Sequence, residues 1–178
     1  NTCNRYIDSN SSSFHKDIAR AIVELKSEGA GAIVAAEAFS VDDPENENEV
    51  IDMCRDAEIP GTATADISKL YGLRVRTRTA VVNASIMPKM LNAAYMTSDS
   101  IKKAGIKANL MVMRCDGGVM TVDEVRKRPI LTILSGPAAG VAGALMHEKL
   151  TDGLFFEVGG TSTDISCVKD GKVMVRYS

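Results

Sequence analysis

The densest chemistry in the chain lies in the octet Glu157-Val158-Gly159-Gly160-Thr161-Ser162-Thr163-Asp164. Adjacent glycines let a backbone approach an anion closely and turn its N–H groups toward it. Thr161, Ser162 and Thr163 add consecutive hydroxyl donors, and Asp164 ends the run with a carboxylate suited to Mg²⁺ or a water. In outline this is a clasp for phosphate and metal, with Glu157 as a further acid on its near side. Glycine, serine and threonine are also common turn formers, so an ordinary hairpin is the competing reading. Upstream, Ser135-Gly136-Pro137-Ala138-Ala139-Gly140 carries the signals of a helix start. Ser135 stands where a helix N-cap belongs, and Pro137 falls inside the first turn.

The flanking patterns say how these residues would be held. Leu154-Phe155-Phe156 is an apolar run, and Ile165, Cys167 and Val168 resume a strand-like pattern after the octet. Asp170-Gly171 predicts a hairpin turn before Val173-Met174-Val175. The glycines therefore belong at a bend between two strands. Ile130 to Leu134 predicts a buried strand, followed by a helix of small residues from Ala138 to Ala144. Gly140 and Gly143 each weaken that helix by about 1 kcal/mol relative to alanine. Close approach of another backbone, as at a hinge, would explain them, and so would tight core packing.

This order of strand, small-residue helix, strand, Gly-Gly-hydroxyl-Asp hairpin and strand resembles the second phosphate-binding segment of the actin, chaperone and sugar-kinase ATPase superfamily. Within it, the wording is similar to the hydantoinase/oxoprolinase family, with its Ser-Gly-Pro-Ala-Ala-Gly-Val run and its Asp-x-Gly-Gly-Thr-Ser-Thr-Asp. Arg76 to Ala84 resembles that family's Arg-x-x-Thr-Ala-x-x-Asn-Ala, and Asp116-Gly117-Gly118 and Pro44 with Glu47 agree. The likeness runs from about residue 16 onward. Glu157 departs from it, standing where the family has aspartate, and one extra methylene moves a carboxylate by about 1.5 Å.

The resemblance implies an α/β fold with ribonuclease H-like, actin-like ATPase layers, and a chain that is an internal fragment of a longer protein. Residues 1–13 would be a disordered or linker segment, 14–134 the end of the first lobe, and 135–178 the connecting helix and opening phosphate hairpin of the second. The other lobe's hairpin would lie outside this chain, so the isolated piece is expected to be inactive. The parent would use ATP and Mg²⁺ to open a cyclic amide such as 5-oxoproline or a hydantoin, by phosphorylating the amide oxygen. Gly159, Gly160, Thr161, Ser162 and Thr163 would contact phosphate, with Ser135 and Gly136 assisting from the helix. Asp164 and Thr161 would be catalytic, and Asp164 with Glu157 would hold the metal. A second hydantoinase subunit or another copy of the chain would be the partner. Two alternatives stay open: the ATP-using subunit of an acetone-carboxylase-like enzyme, and a non-catalytic relative that binds nucleotide as a switch.

Composition narrows the field. The chain has 178 residues, a net charge of −2 and 4% aromatics without tryptophan, so neither a basic nucleic-acid surface nor a base-stacking platform is expected. No apolar run nears the ~20 residues that span a bilayer, and a cytoplasmic, membrane-free setting is expected. Cys3, Cys54, Cys115 and Cys167 are scattered, which argues against structural zinc and for free thiols, buried or idle.

The remaining elements follow from periodicity. A helix starts at Phe14, with Ile18, Ala21, Ile22 and Leu25 at helical spacing and Gly29 as its stop. Ala32 to Ala36 predicts a buried strand, and Ser40 to Asn48 an acidic, solvated lead into a helix over Glu49 to Ala57. Thr62 to Ala65 is extended. Arg74, Arg76 and Arg78 alternate with small residues, and Arg76 is open to a structural or a substrate-facing role. Helices are expected over Ala80 to Met87 and from Pro88 to Ala104, with Asn83 needing a partner if buried. Leu110 to Met113 predicts a strand, and Thr121-Val122-Asp123-Glu124 a capping box. The alternation of strands and helices predicts parallel pairing.

Overall fold

In the computed structural model, residues 2–174 are described. The chain forms two compact units, one built up to Ile106 with Arg126–Ile130, the other from Lys107–Val125 and from Leu131 onward.

The first unit holds α1 (Phe14–Ser27), β1 (Ile33–Ala35), α2 (Glu45–Asp56), β2 (Gly61–Ala63), α3 (Thr64–Ile67) and α4 (Leu73–Lys103). The predicted face of α1 is the buried one: Phe14, Ile18 and Ile22 join Ile33, Cys54 and Ile59 in the core. β1 and β2 pair in parallel, with Ile33 opposite Gly61 and Ala35 opposite Ala63. Gly61 has a packing reason, since a Cβ there would lie 3.0 Å from Ile51 Cδ1 and 3.2 Å from Cys54 Cβ, on α2.

The expected break at Pro88 does not occur, and α4 is a single helix of 31 residues. Proline forfeits one intrahelical hydrogen bond, but Arg76, Ala80, Asn83, Ala84 and Met87 before it and Ala94 after it keep helical spacing and are all buried. Burial of that continuous stripe outweighs the local loss. α2 likewise starts earlier than expected, at Glu45 directly behind Pro44.

The second unit contains β3 (Met111–Met113), β4 (Val119–Thr121), α6 (Ser135–Glu148), β5 (Gly153–Val158), β6 (Thr163–Lys169) and β7 (Lys172–Val173). Between β4 and α6 the chain forms α5 (Val122–Lys127) and a short 3-10 turn, Pro129–Thr132. The Thr121 hydroxyl accepts the Glu124 N–H at 3.4 Å, one half of the predicted capping box. The predicted Asp-Gly turn is present: Asp170 and Gly171 have φ of 51° and 70°, the left-handed pair of a type I′ hairpin turn. The part of its last strand beyond Met174 lies outside the described residues.

Two expectations are corrected here. Parallel pairing, expected of the strands from Leu110 onward, is not found there among the described residues. The parallel pair is β1–β2 of the first unit, whereas β3–β4 and β5–β6–β7 are antiparallel. Their connections are short turns, and a parallel pair needs a crossover of a dozen or more residues. Ile130 to Leu134 is not a strand. Pro129 opens the 3-10 turn, the Ile130 N–H is taken by Asn83 Oδ1 at 3.0 Å, and Leu134 is left-handed at φ 62°. Backbone groups satisfied by a side chain and a turn leave no ladder to extend. Among the described residues no helix is long and apolar enough to cross a membrane.

Candidate functional site

The β5–β6 hairpin sets the register of the candidate residues. Glu157 lies directly opposite Asp164, and Val158 opposite Thr163, leaving residues 159–162 as the loop. Directly opposed residues point to the same face. Phe155, Glu157, Asp164 and Ser166 are therefore on one face, all partly buried, with Val168 fully buried beside them. The other face carries Leu154, Phe156, Val158 and Ile165, all exposed. The Gly159 N–H closes the loop by donating to the Ser162 carbonyl at 2.9 Å. Gly159, Gly160, Thr161, Ser162 and Thr163 are all exposed. Among the described residues, the amides of Gly160, Thr161 and Ser162 and the three hydroxyls of Thr161, Ser162 and Thr163 have no intramolecular partner.

Helix α6 packs on the inner face of this hairpin. Gly140 faces Phe155 and Glu157, while Val141, Ala144 and Leu145 line a small pocket with Gly153, Leu154 and Phe155. The helix thus runs antiparallel to β5. From Gly140 back to Ser135 is five residues of about 1.5 Å rise, and from Glu157 to Gly159 two residues of about 3.3 Å. The first turn of α6 and the Gly159–Ser162 loop consequently lie at the same end of the unit. Ser135 is the first helical residue rather than the N-cap, which is the left-handed Leu134. Its N–H is therefore one of the orphan donors of the helix start, and Gly136 beside it is exposed with no atom within 4 Å of a Cβ position.

The glycines of α6 have different explanations. At Gly140 the close approach comes from side chains rather than a backbone: a Cβ would lie 2.6 Å from Glu157 Oε2 and 3.2 Å from Phe155 Cζ. At Gly143 nothing lies within 4 Å, and no packing reason for it is present.

Glu157 Oε2 is buried and has no hydrogen-bond partner among the described residues. A buried, orphaned carboxylate oxygen opposite a second acid is a fitting place for a hard cation. Among the described residues no group of three His, Cys, Asp or Glu side chains could hold a metal by itself. Mg²⁺ does not require one, since it is commonly held by one or two carboxylates together with substrate phosphates and waters. The donor set of Glu157, Asp164 and the hairpin hydroxyls fits that chemistry.

A second polar cluster sits in the first unit, and sequence reasoning saw only part of it. Arg76 is 1% exposed. Its guanidinium donates to the carbonyls of Leu70, Tyr71 and Glu37 at 2.9–3.0 Å, to Ser40 Oγ at 3.1 Å and to Thr64 Oγ1 at 3.5 Å. Every donor is spent on the protein, which decides for the structural role. Glu47, expected in a solvated acidic lead, is 2% exposed. It accepts from the Glu37 N–H at 2.8 Å, the Thr64 hydroxyl at 2.6 Å and the Ala65 N–H at 2.9 Å. Its pairing with Pro44 in the family-like wording was the available signal. Asn83 finds the partners it was expected to need, in Thr62, Lys127 and Ile130.

The thiols stand apart from both clusters. All four cysteines are free, and Cys115 and Cys167 are exposed rather than buried. Cys54 is buried, and burial pushes its thiol up to about 11. Asp116 closes the β3–β4 turn, where the Gly118 N–H and then Arg114 hold its carboxyl below the ordinary range.

Residues 76–178 match the family model described as hydantoinase/oxoprolinase. An uncharacterised protein of Methanocaldococcus jannaschii is 33% identical over 113 residues, 62% of this chain and 17% of that protein. The alpha subunit of caprolactamase from Pseudomonas jessenii is 26% identical over 161 residues, 87% of this chain and 23% of the subunit. Among solved structures, nucleotide-free acetone carboxylase, whose acetone carboxylation is ATP-dependent, superposes with a TM-score of 0.72 at 26% identity, covering 89% of this chain and 23% of that one. The chain spans 8–23% of the length of the curated relatives it matches. With more than half its residues matching the family model, the chain belongs to the hydantoinase/oxoprolinase family.

Proposed function

We propose that this chain is the phosphate-binding part of an ATP-dependent enzyme that opens a cyclic amide. The reading is carried by the antiparallel course of α6 and β5, which sets the α6 first turn and the Gly159–Ser162 loop at one end of the second unit, both with amides that have no acceptor among the described residues. A helix start and a row of loop amides suit phosphate oxygens. Caprolactamase, by its name a lactam-hydrolysing relative, and the ATP dependence of acetone carboxylation support the two halves of the reading.

The residues divide the work. Gly160, Thr161, Ser162 and Thr163 donate to the phosphates, and Gly159 keeps the loop closed while Ser135 and Gly136 approach from the helix start. Thr161 and Asp164 would be the catalytic pair, the hydroxyl donating to the transferring group and the carboxylate serving the metal or its water. Asp164 and Glu157 would hold Mg²⁺, which would supply charge neutralisation for the phosphates. Phosphoryl transfer to the amide oxygen would turn a poor electrophile into one that water attacks, with most of the acceleration coming from placing and neutralising charge. The layers would be ribonuclease H-like and actin-like, with the boundary between lobes near residue 135 and the missing half of the cleft in the rest of a longer, cytoplasmic protein. The subunit designation of caprolactamase supports a second subunit as partner.

The structural likeness to acetone carboxylase favours one second reading, in which an enol rather than an amide is phosphorylated. ADP release by the full-length protein with its partner subunit, measured against 5-oxoproline, hydantoin, caprolactam and acetone, tests both. Stimulation by a cyclic amide is expected. Stimulation by acetone alone would move the assignment to the carboxylase reading, and ATP binding without any stimulation would leave a nucleotide switch.

A further inference from the structure

We infer that Gly140 is a positioning residue for the Glu157 carboxylate, seating it against α6 by leaving out one methyl group. The inference rests on the phosphate-and-Mg²⁺ reading of the hairpin. A Cβ on residue 140 would lie 2.6 Å from Glu157 Oε2, so that oxygen occupies the volume an alanine would fill. The same oxygen is buried and unpartnered among the described residues. A buried acceptor without a donor is unfavourable, yet the geometry of α6 holds a place for it rather than excluding it.

The consequence concerns length. Asp164 stands directly across from Glu157 on β6. Family-like wording has aspartate at position 157, whose carboxylate would be drawn back by about 1.5 Å and would not enter the Gly140 space. Glutamate uses that space to lie back against the helix. An alanine at 140 would meet the far end of a flexible side chain, so the carboxylate would move before the helix did. Phe155 Cζ, at 3.2 Å, would need to give by only a few tenths of an ångström. Gly140 therefore governs where the acid stands more than whether the unit folds.

Helix propensity alone makes the opposite forecast, which gives the test its sign. Four full-length proteins are compared: wild type, Gly140→Ala, Glu157→Asp and the double variant. Melting temperature and the Mg²⁺ concentration that half-saturates binding of a fluorescent ATP analogue are measured for each. In the wild-type background, Gly140→Ala is expected to leave the melting temperature unraised and to raise the half-saturating Mg²⁺ about tenfold, the loss typical of disturbing a ligand's support. In the Glu157→Asp background only the Phe155 ring, at 3.2 and 3.3 Å, still meets residue 140. The same change is therefore expected to shift the melting temperature upward relative to its effect in wild type, alanine's helix preference being less opposed, with the Mg²⁺ requirement unchanged. An equal rise of melting temperature in both backgrounds, or a Mg²⁺ requirement indifferent to residue 140, overturns the inference. Wild-type protein that binds no ATP at any Mg²⁺ would instead break the reading of the hairpin, and the melting cycle would still decide whether Gly140 seats the carboxylate.

Discussion

The cluster around Arg76 and the hairpin around Thr161 are made of the same materials: carboxylates, hydroxyls, and backbone amides or carbonyls. In the first unit these groups are buried and saturated. Arg76 spends its donors on three carbonyls and two hydroxyls, and Glu47 accepts from two amides and a hydroxyl. In the hairpin the donors are exposed and idle, and the one buried carboxylate oxygen lacks a partner among the described residues. A polar group whose capacity is met by the protein is there to fix the fold. One held in place with its capacity unmet is available to a ligand.

Replacing Arg76 by alanine tests that contrast most severely. It strips hydrogen bonds from the carbonyls of Glu37, Leu70 and Tyr71 at once. Denaturant unfolding is expected to show a large loss, at about 1–3 kcal/mol for each buried group left without its partner. Glu47→Gln should cost less. Its new NH₂ must face one of the donors that Oε1 and Oε2 now accept, Glu37 N–H, Thr64 hydroxyl or Ala65 N–H. A destabilisation of about 1–3 kcal/mol is expected from the unmet pairing. Were either variant as stable as wild type, the cluster would lose its structural reading. At the other extreme, Thr161→Ala should shift stability by no more than about 0.5 kcal/mol, as for exposed positions generally, while weakening ATP binding in titration calorimetry. A marked stability loss there would mean that the hairpin hydroxyls serve the fold, and the contrast would collapse.

Much of the hairpin was legible beforehand because its determinants are local. Asp170-Gly171 demanded two left-handed residues in succession, and the chain has them. Gly159 to Ser162 fell between two apolar runs, so a bend followed, while the register placing Glu157 opposite Asp164 is a finding of the structure. The α1 face was readable for the same reason, its periodicity being carried within 14 residues. Ile130 to Leu134 misled because its apolar run resembles a buried strand, whereas the backbone demand at Ile130 is met by a side chain 47 residues away. Pro88 misled in the opposite sense, since the local penalty was real but the buried stripe of α4 outweighed it.

The sequence by itself determined the hairpin, its hydroxyl row, the small-residue helix upstream and the family these residues resemble, all written in spacings of a few positions. Only the tertiary structure decided that Glu47 is buried, that Arg76 is wholly consumed by the protein, and that Gly140 yields its space to Glu157. The longest of those contacts join residues 17 to 39 positions apart, Glu47 to Thr64 and Ala65, Gly140 to Glu157, and Arg76 to Ser40 and Glu37. Burial and hydrogen-bond saturation depend on which distant groups the fold delivers, and local periodicity carries no record of them.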